Sequence, residues 1–165
     1  MKQSLVIQPY SKEYQEQVVE LISTIQQKEF QIPITVDEQP DLFSIEEFYQ
    51  TGNGNFWLAI YGERVVGTIC LLDIGSSELA LRKMFVDKDY RGAPLHIASC
   101  LLHEAIRWAM ENGVHAIYLG TTPQFVAAHR FYEKNNFVRV ESRDLPNNFP
   151  VLAVDKRFYM LDTCS

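Results

Sequence analysis

Met84-Phe85-Val86-Asp87-Lys88-Asp89-Tyr90-Arg91-Gly92-Ala93-Pro94-Leu95-His96-Ile97-Ala98 is the stretch on which the fold turns. It reads as a strand leaving a core, a polar loop carrying small and basic residues, and the start of a helix. Upstream, Glu78–Val86 alternates as a strand, which assigns Leu79, Leu81, Lys83 and Phe85 to one face and Ala80, Arg82, Met84 and Val86 to the other. Downstream, Ile97, Leu101, Ala105 and Trp108 share one helical face, joined by Ala98, Leu102 and Ala109, until Asn112-Gly113 supplies a left-handed stop. Free N–H groups and the positive dipole end at such a helix start favour a phosphate or pyrophosphate. Taken alone, Arg91-Gly92 is more simply a surface turn; the rest of the chain has to decide.

A second junction follows. Ala116-Ile117-Tyr118-Leu119 reads as a short buried strand, and Gly120-Thr121-Thr122-Pro123 leads into a helix with Thr122 as its cap, running to Asn135-Asn136. Two such strands, parallel and adjacent, leave a slot where they splay, the usual ligand position on an open α/β sheet. Working outward, Leu5-Val6-Ile7-Gln8-Pro9 is a first strand, and Val18, Leu21, Ile22 and Ile25 set the buried stripe of a helix from Tyr14 to near Lys28. Residues 30–40 read as irregular, 41–50 as a short helix, and 56–61 and 65–72 as strands. Strands over 137–141 and 152–161 close the chain, with a flexible segment at 142–150. The order β, α, α, β, β, β, α, β, α, β, β predicts a mixed α/β sheet: an antiparallel meander, then a βαβαβ portion with crossover helices.

With 165 residues, 47% hydrophobic and 22% charged, the chain is expected to form one domain over 1–165 with its own core. A net charge of −6 argues against nucleic acid and anionic membrane surfaces as partners, since both require clustered Lys and Arg. Cys70, Cys100 and Cys164 are widely separated, without a CxxC pair or ligand-spaced His, so neither a metal site nor a disulfide scaffold is expected. No leader pattern or membrane-length apolar run is seen, and free thiols fit a reducing compartment; a cytoplasmic location is expected. Oligomeric state stays open, a homodimer included.

The pieces Leu81-Arg82-Lys83-Met84-Phe85-Val86, Tyr90-Arg91-Gly92, the helix to Trp108-Ala109, and Ala127-Ala128-His129-Arg130-Phe131-Tyr132-Glu133-Lys134-Asn135-Asn136-Phe137 occur in the order and spacing of the GCN5-related N-acetyltransferase (GNAT) superfamily. The sequence resembles that superfamily over nearly its whole length. The resemblance implies a central, mostly antiparallel, splayed sheet flanked by helices, and acetyl transfer from acetyl-CoA to an amine of a small molecule or peptide, without a metal. It also implies that the edge at Met84, Phe85 and Val86 receives the pantetheine arm and that the loop of Arg91, Gly92, Ala93, His96, Ile97 and Ala98 receives the pyrophosphate. Thr121 or its neighbour Thr122, with Phe131 and Lys134, become further cofactor contacts, and Tyr132 matches the general acid. A gapless reading from Arg91 puts Pro94 and His96 at the family's small positions; a loop two residues longer puts Ala98 there and makes Ile97 and Ala98 the donors, the reading preferred here. Phe125 stands where the family often has asparagine, and Asn136 where it has glycine.

An alkylammonium with a pKa of about 10 must lose a proton before it attacks a thioester. Glu78 is the first carboxylate considered for base or amine binding, with Glu29, Asp37 and Asp41 behind it, although a solvated strand-end acid is the simpler account of Glu78. His129, three residues before Tyr132, reads most simply as a surface histidine. Cys100 and Trp108 read as packing residues. The competing class is a non-catalytic CoA-binding module with the same fold; a nucleotide-binding domain fares worse because GxGxxG spacing is missing.

Overall fold

The computed structural model describes residues 4–163, so Cys164 lies outside the described residues. Its elements are β1 (Leu5–Pro9), α1 (Gln15–Ser23), α2 (Ile45–Tyr49), β2 (Asn55–Tyr61), β3 (Arg64–Asp73), β4 (Glu78–Val86), α3 (Ile97–Glu111), β5 (Ala116–Thr121), α4 (Val126–Lys134), β6 (Val138–Val140) and β7 (Arg157–Asp162). The order is the one read from the sequence. α1 continues as a π-helical stretch, Thr24–Glu29, so the buried stripe through Ile25 spans two kinds of helix. The seven strands form one sheet in the order β1-β2-β3-β4-β5-β7-β6. Only β4 and β5 pair in parallel, and α3 makes the crossover between them; every other neighbouring pair is antiparallel.

Apolar side chains fill both faces of the sheet. On one, Leu79, Leu81 and Val86 of β4 join Ile97, Leu101, Leu102 and Ala105 of α3 and Tyr132 of α4. α3 lies close because Gly67 of β3 has no side chain: a Cβ there would stand 3.1 Å from both Ile97 and Leu101. On the other face, Val18, Ile22 and Ile25 pack with Ile45, Tyr49, Phe56 and Leu58. Trp108 sits at the core margin, edge-on to Trp57 at 5.8 Å, and its indole N–H donates to the Asn53 carbonyl at 2.8 Å.

The alternation expected for β4 fails after Arg82. Cys70 faces Arg82 but Thr68 faces Phe85, so one extra residue is accommodated, and Lys83 takes φ +54°. This is a β-bulge, which reverses the facing of all that follows. Met84 and Val86 therefore join Leu79 and Leu81, while Lys83 and Phe85 turn to the face of Ala80 and Arg82. Thr68 Oγ1 caps the bulge by donating to the Lys83 carbonyl at 2.7 Å.

Three expected boundaries also move. α4 begins at Val126 rather than beside Thr122, and residues 122–125 form a turn closed by the Phe125 N–H on the Thr122 carbonyl. β7 begins at Arg157, five residues later than the apolar run at 152 implies, because Leu152, Val154 and Asp155 turn toward the sheet opening. Residues 142–150 are docked: Phe149 is buried with Ile74, Ala80 and Phe158, and the Asn148 side-chain amide donates to the Ile74 carbonyl.

Candidate functional site

β4 and β5 are zipped at only three positions, Glu78 with Ala116, Leu79 with Ile117 and Ala80 with Tyr118. Beyond them β5 stays paired with β7 through Thr121, whereas β4 follows β3 through its bulge to Val86. The strands diverge, leaving the β5-facing edge of residues 81–86 without a described strand partner. A cavity of about 640 Å³ occupies the gap. Its walls come from both faces of the sheet: His96, Ile97, Ala98, Phe131 and Tyr132 on one, and Ile25, Phe30, Arg82, Lys83 and Leu152 on the other.

At the first wall, His96 precedes α3 in the left-handed region with φ +50° and offers no side-chain cap. Its N–H is spent on the Gly92 carbonyl, and the first helical bond outside the loop is Cys100 N–H to His96. The N–H groups of Ile97, Ala98 and Ser99 in the first turn thus lack backbone partners, the usual condition of a helix start. At the β5 end, Thr122 Oγ1 is the one buried side-chain polar atom among the described residues without a partner, and Thr122, 4% exposed, lines the cavity. Three open N–H donors and an orphaned hydroxyl around one gap fit an elongated polar ligand with an anionic group, which is how the acetyl-CoA implied by the resemblance is built.

His129 is not a surface residue: it is buried and its ring braces that turn. Arg157 donates to Nδ1 at 3.0 Å, so Nε2 carries the proton and donates to the Thr122 carbonyl at 2.9 Å. Burial lowers its pKa, as does the Arg157 charge, so the ring is held neutral.

Of the residues singled out in the sequence, Met84, Phe85, Val86, Arg91, Gly92, His96, Ile97, Ala98, Thr121, Phe131 and Tyr132 line the cavity. Ala93 and Lys134 do not; Lys134 is exposed at the far end of α4, and Ala93 is exposed in the loop, joined to Pro94 by a cis bond. Pro94 is likewise outside the lining. Glu78 is removed from the gap altogether. It lies at the zipped end, opposite Ala116, where its carboxylate faces Tyr118. Arg91 is tied down, with Nε on the Val86 carbonyl at 2.8 Å and a bidentate pair to Glu29 at 2.6 and 2.8 Å. Asp37 and Asp41 are also outside the lining.

Tyr132 is 5% exposed, and its phenol makes no hydrogen bond to another described residue. Burial, with the Asp155 charge as a lesser cause, pushes its pKa well above the ordinary value, so it stays protonated through the neutral range. Asp155 is the residue the sequence reading missed. Its carboxylate enters the cavity beside Gly120, where a Cβ would come within 2.8 Å of Oδ2, and it accepts the Leu152 N–H at 3.4 Å. Burial raises its pKa, countered by that hydrogen bond and by the charges of Arg82 and Lys83.

A polar network stands behind Arg82 and Lys83. Lys83, 7% exposed, donates to Gln39 Oε1 and lies 3.7 Å from Asp41, which also accepts from the Tyr49 hydroxyl at 2.5 Å. Gln26 and Gln39 exchange amide hydrogen bonds at 2.8 and 3.2 Å. Burial lowers the Lys83 pKa, opposed chiefly by Asp41. The described residues contain no cluster of three or more His, Cys, Asp or Glu able to hold a metal ion.

Comparison with known proteins identifies the class. The sequence model of the Acetyltransferase (GNAT) family matches residues 19–137, and the chain belongs to that family. A GNAT-family acetyltransferase from Staphylococcus aureus Mu50 superposes with a TM-score of 0.94 at 43% identity, covering 97% of this chain and 99% of that one. An acetyltransferase from Streptococcus agalactiae 2603 superposes with a TM-score of 0.91 at 31% identity, covering 96% and 98%. Among curated proteins, an N-acetylaspartate synthetase from Xenopus tropicalis is 38% identical over 104 residues, 61% of this chain and 37% of that protein. The chain thus spans only about a third to a half of the curated relatives it matches. The PaiA N-acetyltransferase of Thermoplasma acidophilum, solved with coenzyme A, shares the fold at a TM-score of 0.72 and 17% identity over 96% of this chain and 99% of that one.

Proposed function

We propose that residues 1–165 act as one domain, an acetyl-CoA-dependent N-acetyltransferase that acetylates a primary amine of a small molecule or peptide in the cytoplasm. The observation that carries the reading is the gap opened where β4 leaves β5 beyond Ala80 and Tyr118, with the unpaired N-terminus of α3 at its rim. None of the described helices is long and apolar enough to cross a membrane.

Acetyl-CoA, when bound, supplies the thioester. The free N–H groups of Ile97, Ala98 and Ser99 would hold its pyrophosphate, with Arg91 and His96 nearby, and Gly92 keeps their approach open. The unpaired edge of Met84, Phe85 and Val86 offers main-chain donors and acceptors to the pantetheine amides, as an added strand would use them. Main-chain N–H groups on that edge polarise a carbonyl without reorganising. Phe131 and Thr121 pack the opposite side, and Thr122 Oγ1 gains the partner it lacks. Asp155 takes over from Glu78 as the carboxylate that holds the ammonium and accepts its proton, since a raised pKa makes it a stronger base than a solvated acid. Tyr132 holds a proton at its phenol oxygen for the departing thiolate.

Thiol release from acetyl-CoA with a panel of amines tests the reading, with calorimetry for cofactor affinity. Amine-dependent release is expected. Cofactor binding without release on any amine would instead assign a non-catalytic CoA-binding module, and no binding at all removes both.

A further inference from the structure

Arg82 is a cation in the gap that feels the charges of Asp41 and Asp155 but is paired directly with neither among the described residues. It lines the cavity, yet it forms no ion pair and donates no side-chain hydrogen bond to any other described residue. None of its nitrogens is a sealed-off orphan either, so its donors remain open to the cavity. The rings of Phe48 and Tyr49 hold the guanidinium at 5.9 and 5.8 Å, which fixes its direction without discharging it. The bulge then adds Lys83 on the same side. Asp41 has Lys83 and Tyr49 as its direct partners and reaches Arg82 only as a nearby charge. Around them the lining is apolar, with Ile32, Ile34, Phe149 and Val154, and such surroundings strengthen the attraction for an incoming anion.

We infer that the acceptor is an amino acid, its carboxylate received by Arg82 with Lys83 beside it while its ammonium faces Asp155. This deepens the acetyl-transfer reading and rests on it. Asp155, Arg82 and Tyr132 line the same gap and Asp155 interacts electrostatically with both of the others, so a zwitterion can present its carboxylate to Arg82 and its nitrogen to Asp155 within reach of one cavity. A guanidinium pairs with a carboxylate through two parallel N–H bonds, and a partly buried guanidinium left without one is costly. A simple amine would satisfy Asp155 and leave Arg82 without a directly paired carboxylate.

The test compares L-amino acids with their carboxamides, which keep the shape and amine but lose the negative charge. Thiol release gives kcat/KM for each, and calorimetry on the CoA-loaded protein gives affinity whether or not turnover occurs. The acids are expected to be preferred at least about tenfold in one measurement or both, through KM rather than kcat. In Arg82→Gln that preference should collapse toward one, with Arg82→Lys recovering part of it; melting temperature and CoA affinity report that each variant is folded. Amides used as well as acids by the wild type, or a preference that survives in Arg82→Gln, overturns the inference while leaving acetyl transfer intact. Amino-acid binding that depends on Arg82 without any turnover upholds the carboxylate site and removes the acetyl-transfer reading. No binding and no turnover of any amino acid overturns the inference, while release with other amines of the panel still upholds acetyl transfer.

Discussion

The two ends of the β4–β5 pair are built from the same strands and serve opposite purposes. At the closed end, Leu79 and Ala80 are fully buried and in register with Ile117 and Tyr118. At the open end, the next residues of β4 have described strand partners in β3 alone, and their free edge faces a cavity. Pairing and burial at one end hold the frame against which the other end can leave main-chain groups, a guanidinium and a carboxylate incompletely satisfied. Stability and chemistry are therefore separated along a single strand, and substitutions at the two ends should fail in different assays.

Asp155→Asn at the open end is expected to give the largest loss, about a thousandfold in turnover, with melting temperature held or raised because a buried charge is removed. The wild-type rate should rise with pH through an acidic limb lying above the ordinary carboxylate value, since the base must be ionised and its pKa is raised; that limb should vanish in the variant, and an unchanged profile would take the role from Asp155. Tyr132→Phe is expected to cost about a hundredfold in kcat with cofactor affinity nearly intact. The smaller loss follows because a thiolate of pKa about 8.5 needs a proton less than an amine of pKa about 10 needs to lose one.

At the closed end the pattern inverts. Leu79→Ala should lower unfolding free energy by about 2–5 kcal/mol in urea titrations, while turnover per folded molecule stays close to wild type. A smaller effect tests the brace at the rim. His129 is neutral in the folded protein with a lowered pKa, so the unfolded chain binds its proton first as pH falls below about 6.5. Wild-type stability should decline from pH 7.5 to pH 5.5, and His129→Gln should lack that share of the decline. Smallest of all, Glu78→Gln should change turnover by less than about twofold, as expected for a carboxylate remote from the gap; a large loss would move the reacting centre to the closed end.

The sequence made the element order legible because three helices carried a 3.6-residue apolar stripe, the fourth was framed by Thr122-Pro123 and Asn135-Asn136, and each long strand carried a β-branched or aromatic run. Arg91-Gly92 and the Ile97 helix start were legible for the same local reasons. The bulge was not. Lys83 fits a simple alternation as well as any polar residue, and only the pairing of Thr68 and Cys70 across the ladder reveals the extra residue. Asp155 was absorbed into a strand because its apolar neighbours suggested one; an acid between Val154 and Lys156, with Gly120 giving it room, was the signal overlooked. His129 had a readable clue, since its spacing to Tyr132 puts both on the buried stripe of α4, and both are buried.

The bulge makes this strand unusually sensitive to length. Deleting Lys83 would restore an unbroken ladder with β3 and leave Met84 and Val86 toward α3 and Phe85 on the opposite face, because the lost residue is the one that breaks the alternation. Arg82 would keep its orientation and lose its neighbour, and the strand would have nothing to steer it away from β5. One codon fewer would thus straighten the strand at the mouth and remove one of its two cations while leaving both of its faces as they are.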